Sequence, residues 1–534
     1  MGAKTKSGNK TALSIGPFSG GMNTYSDPAS LADNELVSCV NFDVALDGTL
    51  VSRPPIQSIN NGAAIGFTQR IYLIGTATIS GVTYVFGSNA NGVFRWDTGA
   101  WTLITNTVIC SSAVQYNNVV YFLPFPNNPS FALGKWTPSG GYSDVSPANL
   151  KTMMGGTNLG GGSLVIYKDR LFILPGYSKI GNESRLIFSD PGNPEGYSAT
   201  TQFVDINPGD GQRLMDAVVQ DDNLMCFKSE STWVFTFTSS PADAEVVKIN
   251  PIIGVNGLRC IESFENAIYI LHRGRVYEIV NYNFQCINIQ CPFEFDGSTP
   301  AGSVRFEGAF INRIGDRLFV RWANRTYVYG LRTKAWTRWE SANASLNNIG
   351  PLIHYVSPSE DYYLAGSCLD NDFHLFKILD AYTTTINEKL DSTDVNINCY
   401  IITKNFDLGD PFHYKRLHWW GVDAVVKNDI TGTVSTVVAL FSPTWQDIQD
   451  KGTIWNDFGT WGQSASNTLD QTTIPVSTSN ILRSYFRFPR SVRFRQSLYT
   501  VLTTTSGTSL TGPVRIFGIT LVASSKELVP KGSN

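Results

Sequence analysis

One phrase recurs along this 534-residue chain: an apolar or aromatic residue, a turn built on Asn, Asp or Gly, then an apolar strand. It reads Tyr116-Asn117-Asn118-Val119-Val120-Tyr121-Phe122-Leu123, then Tyr167-Lys168-Asp169-Arg170-Leu171-Phe172-Ile173-Leu174. It returns at Gln220-Asp221-Asp222-Asn223-Leu224, Phe264-Glu265-Asn266-Ala267-Ile268, Ile314-Gly315-Asp316-Arg317-Leu318 and Ser359-Glu360-Asp361-Tyr362. From residue 116 the copies start 51, 53, 44, 50 and 45 residues apart. Each copy reads as a tight hairpin entering a strand. A period of about 40 to 50 residues with four strands per unit is what propeller blades require. Aromatic closing strands agree with this: Val93-Phe94-Arg95-Trp96-Asp97 leads to Trp101, and Tyr327-Val328-Tyr329 leads to Trp336 and Trp339. An earlier unit from Val82 to Trp101 raises the count from six to seven. The expectation is a β-propeller of six or seven blades at 66–380, with unrelated meanders in stacked sandwiches as the alternative.

The rest of the chain is also read as β. Segments 399–406, 415–422, 433–441, 484–494 and 514–522 have strand character, and a Ser/Thr-rich loop at 442–480 holds Trp445, Trp455 and Trp461. This gives a β-sandwich at 381–534. Residues 1–65 read as an extended N-terminal arm and hairpin leader. One short helix is expected at 28–39, opened by Asp27-Pro28. The fold class is therefore all-β: an arm, a propeller and a sandwich. Forty-seven glycines and 25 prolines scattered among short apolar runs suit many strands joined by many turns.

A net charge of −3 argues against a surface that grips nucleic acid throughout. The local exception is Lys4, Lys6 and Lys10, read as a solvated tail, with polyanion contact as the alternative. Met1-Gly2 is not an acylation signal, because Lys6 stands where Ser or Thr is needed. No apolar run forms a secretory signal or a membrane span. The eight cysteines are dispersed singly and read as reduced thiols of a chain made in a cytoplasm, which the resemblance described below makes that of a host bacterium.

Catalytic patterns are missing. His413 with His418, and Cys286 with Cys291, lack zinc spacing. No Gly-x-Ser-x-Gly elbow or phosphate loop occurs, and Gly160-Gly161-Gly162 reads as a turn. Asp205, Asp210 and Asp216 are candidates for a glycosidase pair, but carboxylates near turns are more often hairpin residues. Trp419-Trp420 would place one ring in a core and one on a surface. No catalytic residue, metal site or cofactor is expected, and the chain is read as no enzyme.

The leader carries a recognisable phrase: Gly16-Pro17-Phe18-Ser19-Gly20-Gly21-Met22-Asn23, Ser26-Asp27-Pro28, Cys39-Val40-Asn41-Phe42-Asp43, and Asp47-Gly48-Thr49-Leu50-Val51-Ser52-Arg53-Pro54. It resembles the opening of the tail nozzle and packaged-DNA stabilisation proteins of short-tailed bacteriophages. The residues of that motif are Gly20, Gly21, Asn23, Asp27, Pro28, Asn41, Asp47, Gly48, Arg53 and Pro54. The resemblance implies a virion structural protein in the tail. It implies a homo-hexameric ring, portal and adaptor proteins and tail fibres or spikes as partners, and double-stranded DNA passing without tight binding. Two other readings stand beside it. One is a minor tail, baseplate or receptor-binding protein, with host-surface contact through the Trp-rich loop at 442–462. The other is a propeller lectin or glycosidase acting on host surface polysaccharide. The C-terminal Leu528-Val529-Pro530-Lys531-Gly532-Ser533 reads as a natural polar tail.

Overall fold

The computed structural model describes residues 10–60, 70–97, 100–125, 132–155, 162–175, 182–293, 309–322, 325–341, 343–369, 374–379, 388–390, 393–395, 397–406, 415–425, 430–437, 468–474, 482–494, 497–504 and 514–525, the backbone alone for most of 415–504. Five four-stranded antiparallel sheets follow one another at 72–105, 110–144, 163–205, 214–250 and 261–286, each with its strands in chain order. These are blades 1 to 5. Blade 6 occupies 309–339, and blade 7 takes three strands from 349–378. The innermost strand of blade 7, Ile349–Val356, lies against that of blade 1, Tyr72–Ile79, and so closes the ring. The propeller has seven blades.

The fourth strand of blade 7 comes from far upstream, and Glu388–Leu390 pairs on its other side. Ile56–Asn60 pairs antiparallel with Leu375–Ile378, setting Ile56 opposite Ile378 and Ser58 opposite Phe376. Blade 7 is thus completed by the leader's end, which locks the first and last parts of the propeller together.

The recurring phrase is the hairpin between the first two strands of a blade. Lys168 and Asp169, and Asp221 and Asp222, all have positive φ, as do Asn117, Glu265 and Gly315. Two-residue hairpins of this geometry match the twist of the strands they join. The second strands read as unbroken apolar runs because blades stack face to face. Val119–Pro124 and Asn223–Lys228 are buried on both sides after their first residue. Aromatic rings fill the wedges between blades: Phe86 meets Phe122 at 5.3 Å and Trp136 at 5.4 Å, and Phe172 meets Phe235 at 5.8 Å. Each such pair adds about 0.5–1.5 kcal/mol beyond area burial.

The second body is a sandwich drawn from both ends of the chain. One sheet runs Phe42–Val44, Leu50–Ser52, Arg515–Ser525, Lys415–Val425, Leu482–Phe494, with Lys10–Ile15 also paired on Arg515–Ser525. The other continues blade 6 itself. Its outer strand Trp336–Trp339 neighbours Glu35–Val40, followed by Tyr400–Thr403, Ser497–Thr504, Ile430–Val437 and Thr468–Ile474. A shared core holds Met22, Leu36, Cys39, Ile401, Val422 and Leu521 with propeller residues such as Trp336.

Two expectations change. The leader is not an extended arm: it supplies strands to both sandwich sheets and to blade 7, while its Asp47-Gly48 hairpin is present between 42–44 and 50–52. No helix forms at 28–39. Asp27 Oδ1 accepts the Ala29 N–H at 2.8 Å in a single turn, Glu35 Oε2 accepts that of Ala32 at 2.9 Å, and Glu35–Val40 is a strand. The Leu-Val-Ser-Cys-Val run pairs with Tyr400–Thr403, and tertiary pairing overrides the local helical preference. The 442–480 segment contains a strand, Thr468–Ile474; its tryptophans, like His413 and Lys4 and Lys6, lie outside the described residues.

Candidate functional site at the leader junction

Three of the leader's motif residues, Gly21, Asn41 and Arg53, lie where the sandwich meets blades 6 and 7, while Asp27, Pro28 and Asp47 engage a local turn or the sandwich itself. Asn41 sits between two strands in the left-handed region (φ 59°), which Asn tolerates better than most residues. Its N–H donates to the Arg338 carbonyl at 2.8 Å, and its own carbonyl accepts from Arg53 N at 2.9 Å and Cys399 Sγ at 3.2 Å. Its side-chain oxygen accepts from Arg53 Nε at 2.7 Å and Glu340 N at 2.8 Å, while Nδ2 donates to the Asn398 carbonyl at 2.7 Å. One asparagine thereby ties four chain segments.

Arg53 is fully buried. Its Nη1 donates to the Pro54 carbonyl at 3.0 Å, and Nη2 donates to the Glu340 carbonyl at 2.9 Å and to the Glu388 carboxylate. The Ser341 hydroxyl donates to the other Glu388 oxygen at 2.7 Å. Burial pushes the Glu388 carboxyl above its ordinary range, and Arg53 and Ser341 pull against that. The guanidinium stands 5.5 Å from the Trp339 ring, whose Nε1 donates to Asp43 Oδ1 at 2.8 Å; Arg317 holds Asp43 Oδ2 at 2.7 Å.

The glycines of the motif mark close approaches. A Cβ on Gly21 would meet the Trp336 carbonyl at 2.8 Å, and one on Gly48 would meet Pro17 Cβ at 2.5 Å; both have positive φ. Asn23 Nδ2 donates to Glu35 Oε1 at 3.0 Å, and its Oδ1 accepts from Ser26 N at 3.1 Å. The Pro28 carbonyl accepts from Asn405 N at 2.9 Å, and Asp47 pairs with Arg515. Gly20 backs onto Glu35, where a Cβ would lie 2.6 Å from Cγ. Beside this junction a cleft of about 260 Å³ separates the leader hairpin from blade 6, lined by Asp43, Leu46, Arg317, Arg332 and Thr337.

The glycosidase candidates do not face one another. Asp205 binds Arg185 through both oxygens, at 2.9 and 3.0 Å, and Asp210 binds buried Lys228 at 2.7 Å. Asp216 caps the Ala217 N–H at 2.9 Å in the inner strand of blade 4. Burial raises its carboxyl against the pull of Ser163, Ala217 and Arg259. Arg259, at the start of blade 5, reaches across the propeller axis to the Leu73 carbonyl of blade 1 at 3.4 Å. Among the described residues no group of three His, Cys, Asp or Glu side chains could hold a metal ion. The cysteines are free thiols, six of the eight buried. Sequence reasoning missed Glu388, whose partner Arg53 stands 335 positions away, and it read Asp43 and Arg317 as parts of the leader and blade phrases without their pairing, 274 positions apart.

No family model matches the chain, and no curated protein matches it. Solved structures do. PorZ, a surface component of the type-IX secretion system of Porphyromonas gingivalis, is 14% identical, with 62% of this chain and 42% of that chain covered and a TM-score of 0.39. The extracellular domain of a hybrid two-component system from B. thetaiotaomicron is 13% identical over 73% of this chain and 57% of its own, at 0.43. The Pan2 WD40 domain of Neurospora crassa is 9% identical over 62% and 97%, at 0.36. The chain spans about half the length of the first two.

Proposed function

We propose that this chain is a structural protein of a tailed-bacteriophage virion, one subunit of a tail ring. The ring continues the DNA channel, retains packaged DNA and attaches neighbouring tail proteins. The observation that carries the reading is the junction itself. Two of the leader residues that resemble nozzle proteins, Asn41 and Arg53, weld sandwich to propeller. The resemblance therefore concerns architecture and not a surface decoration. A rigid two-body subunit suits a wall, because a ring closes only when each head-to-tail interface repeats the same rotation. The carboxylates that a glycosidase would need are held by Arg185 and Lys228, which supports a wall over an enzyme.

The test is electron microscopy of the purified 534-residue chain, with gold-labelled antibody on intact virions. Closed rings of identical subunits and label on the tail axis are expected. Label confined to peripheral fibres, or to no virion at all, would sink the proposal.

A further inference from the structure

The cleft between the leader hairpin and blade 6 has two unlike walls. The blade wall is a cross-strand patch of the sixth sheet, where Arg317 stands opposite Gly330 and Val328 opposite Thr337. Thr337 is 2% exposed, yet among the described residues its hydroxyl has no hydrogen-bond partner. The Thr333 hydroxyl, in the turn just before it, has none either. It lies against Gly330, where any Cβ would collide with it. Folded proteins seldom leave buried hydroxyls unpaired, and two of them lining one cleft point to a partner from outside the chain. The opposite wall is aliphatic and comes from the leader hairpin: Val44, Val51, and Leu46, which is 74% exposed.

Charge restricts the ligand further. The lining holds two carboxylates and two guanidinium groups, on Asp43, Asp316, Arg317 and Arg332. Asp43 is engaged at both oxygens, Oδ2 by Arg317 at 2.7 Å and Oδ1 by Trp339 Nε1 at 2.8 Å. Asp316 and Arg332 are exposed, Arg332 with Glu265 at 3.9 Å. An anion in the cleft would meet Asp316 and a cation would meet Arg332, so a charged ligand loses at one what it gains at the other. A neutral ligand rich in hydroxyls uses both, because the carboxylate accepts and the guanidinium donates. A pyranose ring carries the two surfaces that the walls require, a rim of hydroxyls and an apolar C–H face. The cleft volume is about 260 Å³. Against about 30 Å³ for each water of the liquid, that is room for one hexose of about a dozen non-hydrogen atoms.

We propose that this cleft binds one neutral hexopyranose unit, its hydroxyls on Thr337, Thr333, Asp316 and Arg332 and its C–H face on the leader hairpin. The inference goes beyond the tail-ring reading and needs neither a ring nor DNA in a channel. The probes are the methyl glycosides of glucose, galactose and mannose, followed by saturation-transfer NMR on the 534-residue chain. At least one should bind with a Kd of about 1 mM, ordinary strength for a ligand of this size. Thr337→Val puts a methyl group where the hydroxyl was. It should weaken binding about fivefold while the melting temperature holds or rises, since the group removed has no partner in the free protein. Asp316→Ala should weaken binding about tenfold, the loss of a charge-assisted hydrogen bond. Thr102→Val, the same change at an exposed position on the outer strand of blade 1, should leave affinity as it was. If Thr337→Val fails to fold, Asp316→Ala and Leu46→Ser, both at exposed positions, decide. Oligosaccharides ending in the bound sugar separate its two sources. Tighter binding than the glycoside assigns the unit to a polysaccharide and equal binding to a free sugar, and either supports the site. Three results overturn the proposal: no transfer to any glycoside at about 20 mM, Thr337→Val binding as tightly as the native chain, or displacement of the glycoside by an equal concentration of glutamate or lysine. Absence of rings in the microscope would leave these results standing.

Discussion

Arg53 and Glu388 are both excluded from solvent, so neither can be removed alone without leaving a charge inside the junction. Breaking such a pair costs about 3–5 kcal/mol, whereas replacing both members by apolar residues is often neutral. Arg53→Met is therefore expected to lower the melting temperature sharply, and Arg53→Met/Glu388→Leu to recover most of the loss. The single variant should also acquire a pH dependence. Without Arg53, burial is the dominant influence on Glu388, and its folded-state pKa rises further above its unfolded value. The native state then binds the proton more tightly than the unfolded state does. Stability is greatest below the unfolded pKa and falls as pH rises through the folded one. Melting Arg53→Met between pH 5 and pH 8 checks this. A variant equally stable at both ends would mean that Glu388 has found water or another partner. Asn41 is less replaceable still, since its backbone conformation and both ends of its amide are in use.

A blade is stable only when its fourth strand is in place, and blade 7 borrows that strand from the leader. Ser58 sits in the middle of Ile56–Asn60, opposite Phe376. Proline there removes a donor from a strand flanked on both sides, by Leu375–Ile378 and by Glu388–Leu390. Ser58→Pro should cost about 1–3 kcal/mol, through a ladder hydrogen bond removed and its partner left unsatisfied. Hydrogen exchange should quicken first in Asp361–Ser367 and Tyr72–Ile79, which flank the ring's seam, with blades 2 to 4 protected as before. Unchanged exchange at the seam would mean that the closure strand is dispensable. This element also shows where sequence is readable. The blade hairpins announce themselves because their turns are local: two residues with positive φ and an apolar run that follows. The closure strand has no such signature, since Ile56 and Ile378 pair across more than three hundred residues. At 28–39, helix-favouring Ala and Leu were outweighed by a neighbour at 400–403 that no local window contains. The motif residues were legible as a phrase, but Glu388, the partner that explains Arg53, was not.

At the scale of the molecule, the two ends of the chain form one body and the middle forms another, joined through a sheet that belongs to both. Glu35–Val40 links blade 6 to Tyr400–Thr403, and Lys10–Ile15 with the 42–52 hairpin edges the second sandwich sheet. An arm and an integral leader predict different behaviour when residues 1–54 are deleted. An arm could be lost with the melting curve intact. An integral leader takes five strands, the Arg53 side chain and core residues from Ile15 to Leu50, among them Phe18, Met22, Leu36 and Phe42, with it. The sandwich would then expose Cys399, Ile401 and Leu521 to water, along with the unpaired edge of Arg515–Ser525. The 55–534 chain should therefore aggregate on warming and lose exchange protection across 514–525 and 336–339. Blades 2 and 3, whose wedge cores draw nothing from the leader, should keep theirs. Equal protection at 514–525 in both chains would return the leader to the status of an arm and remove the structural basis of the junction.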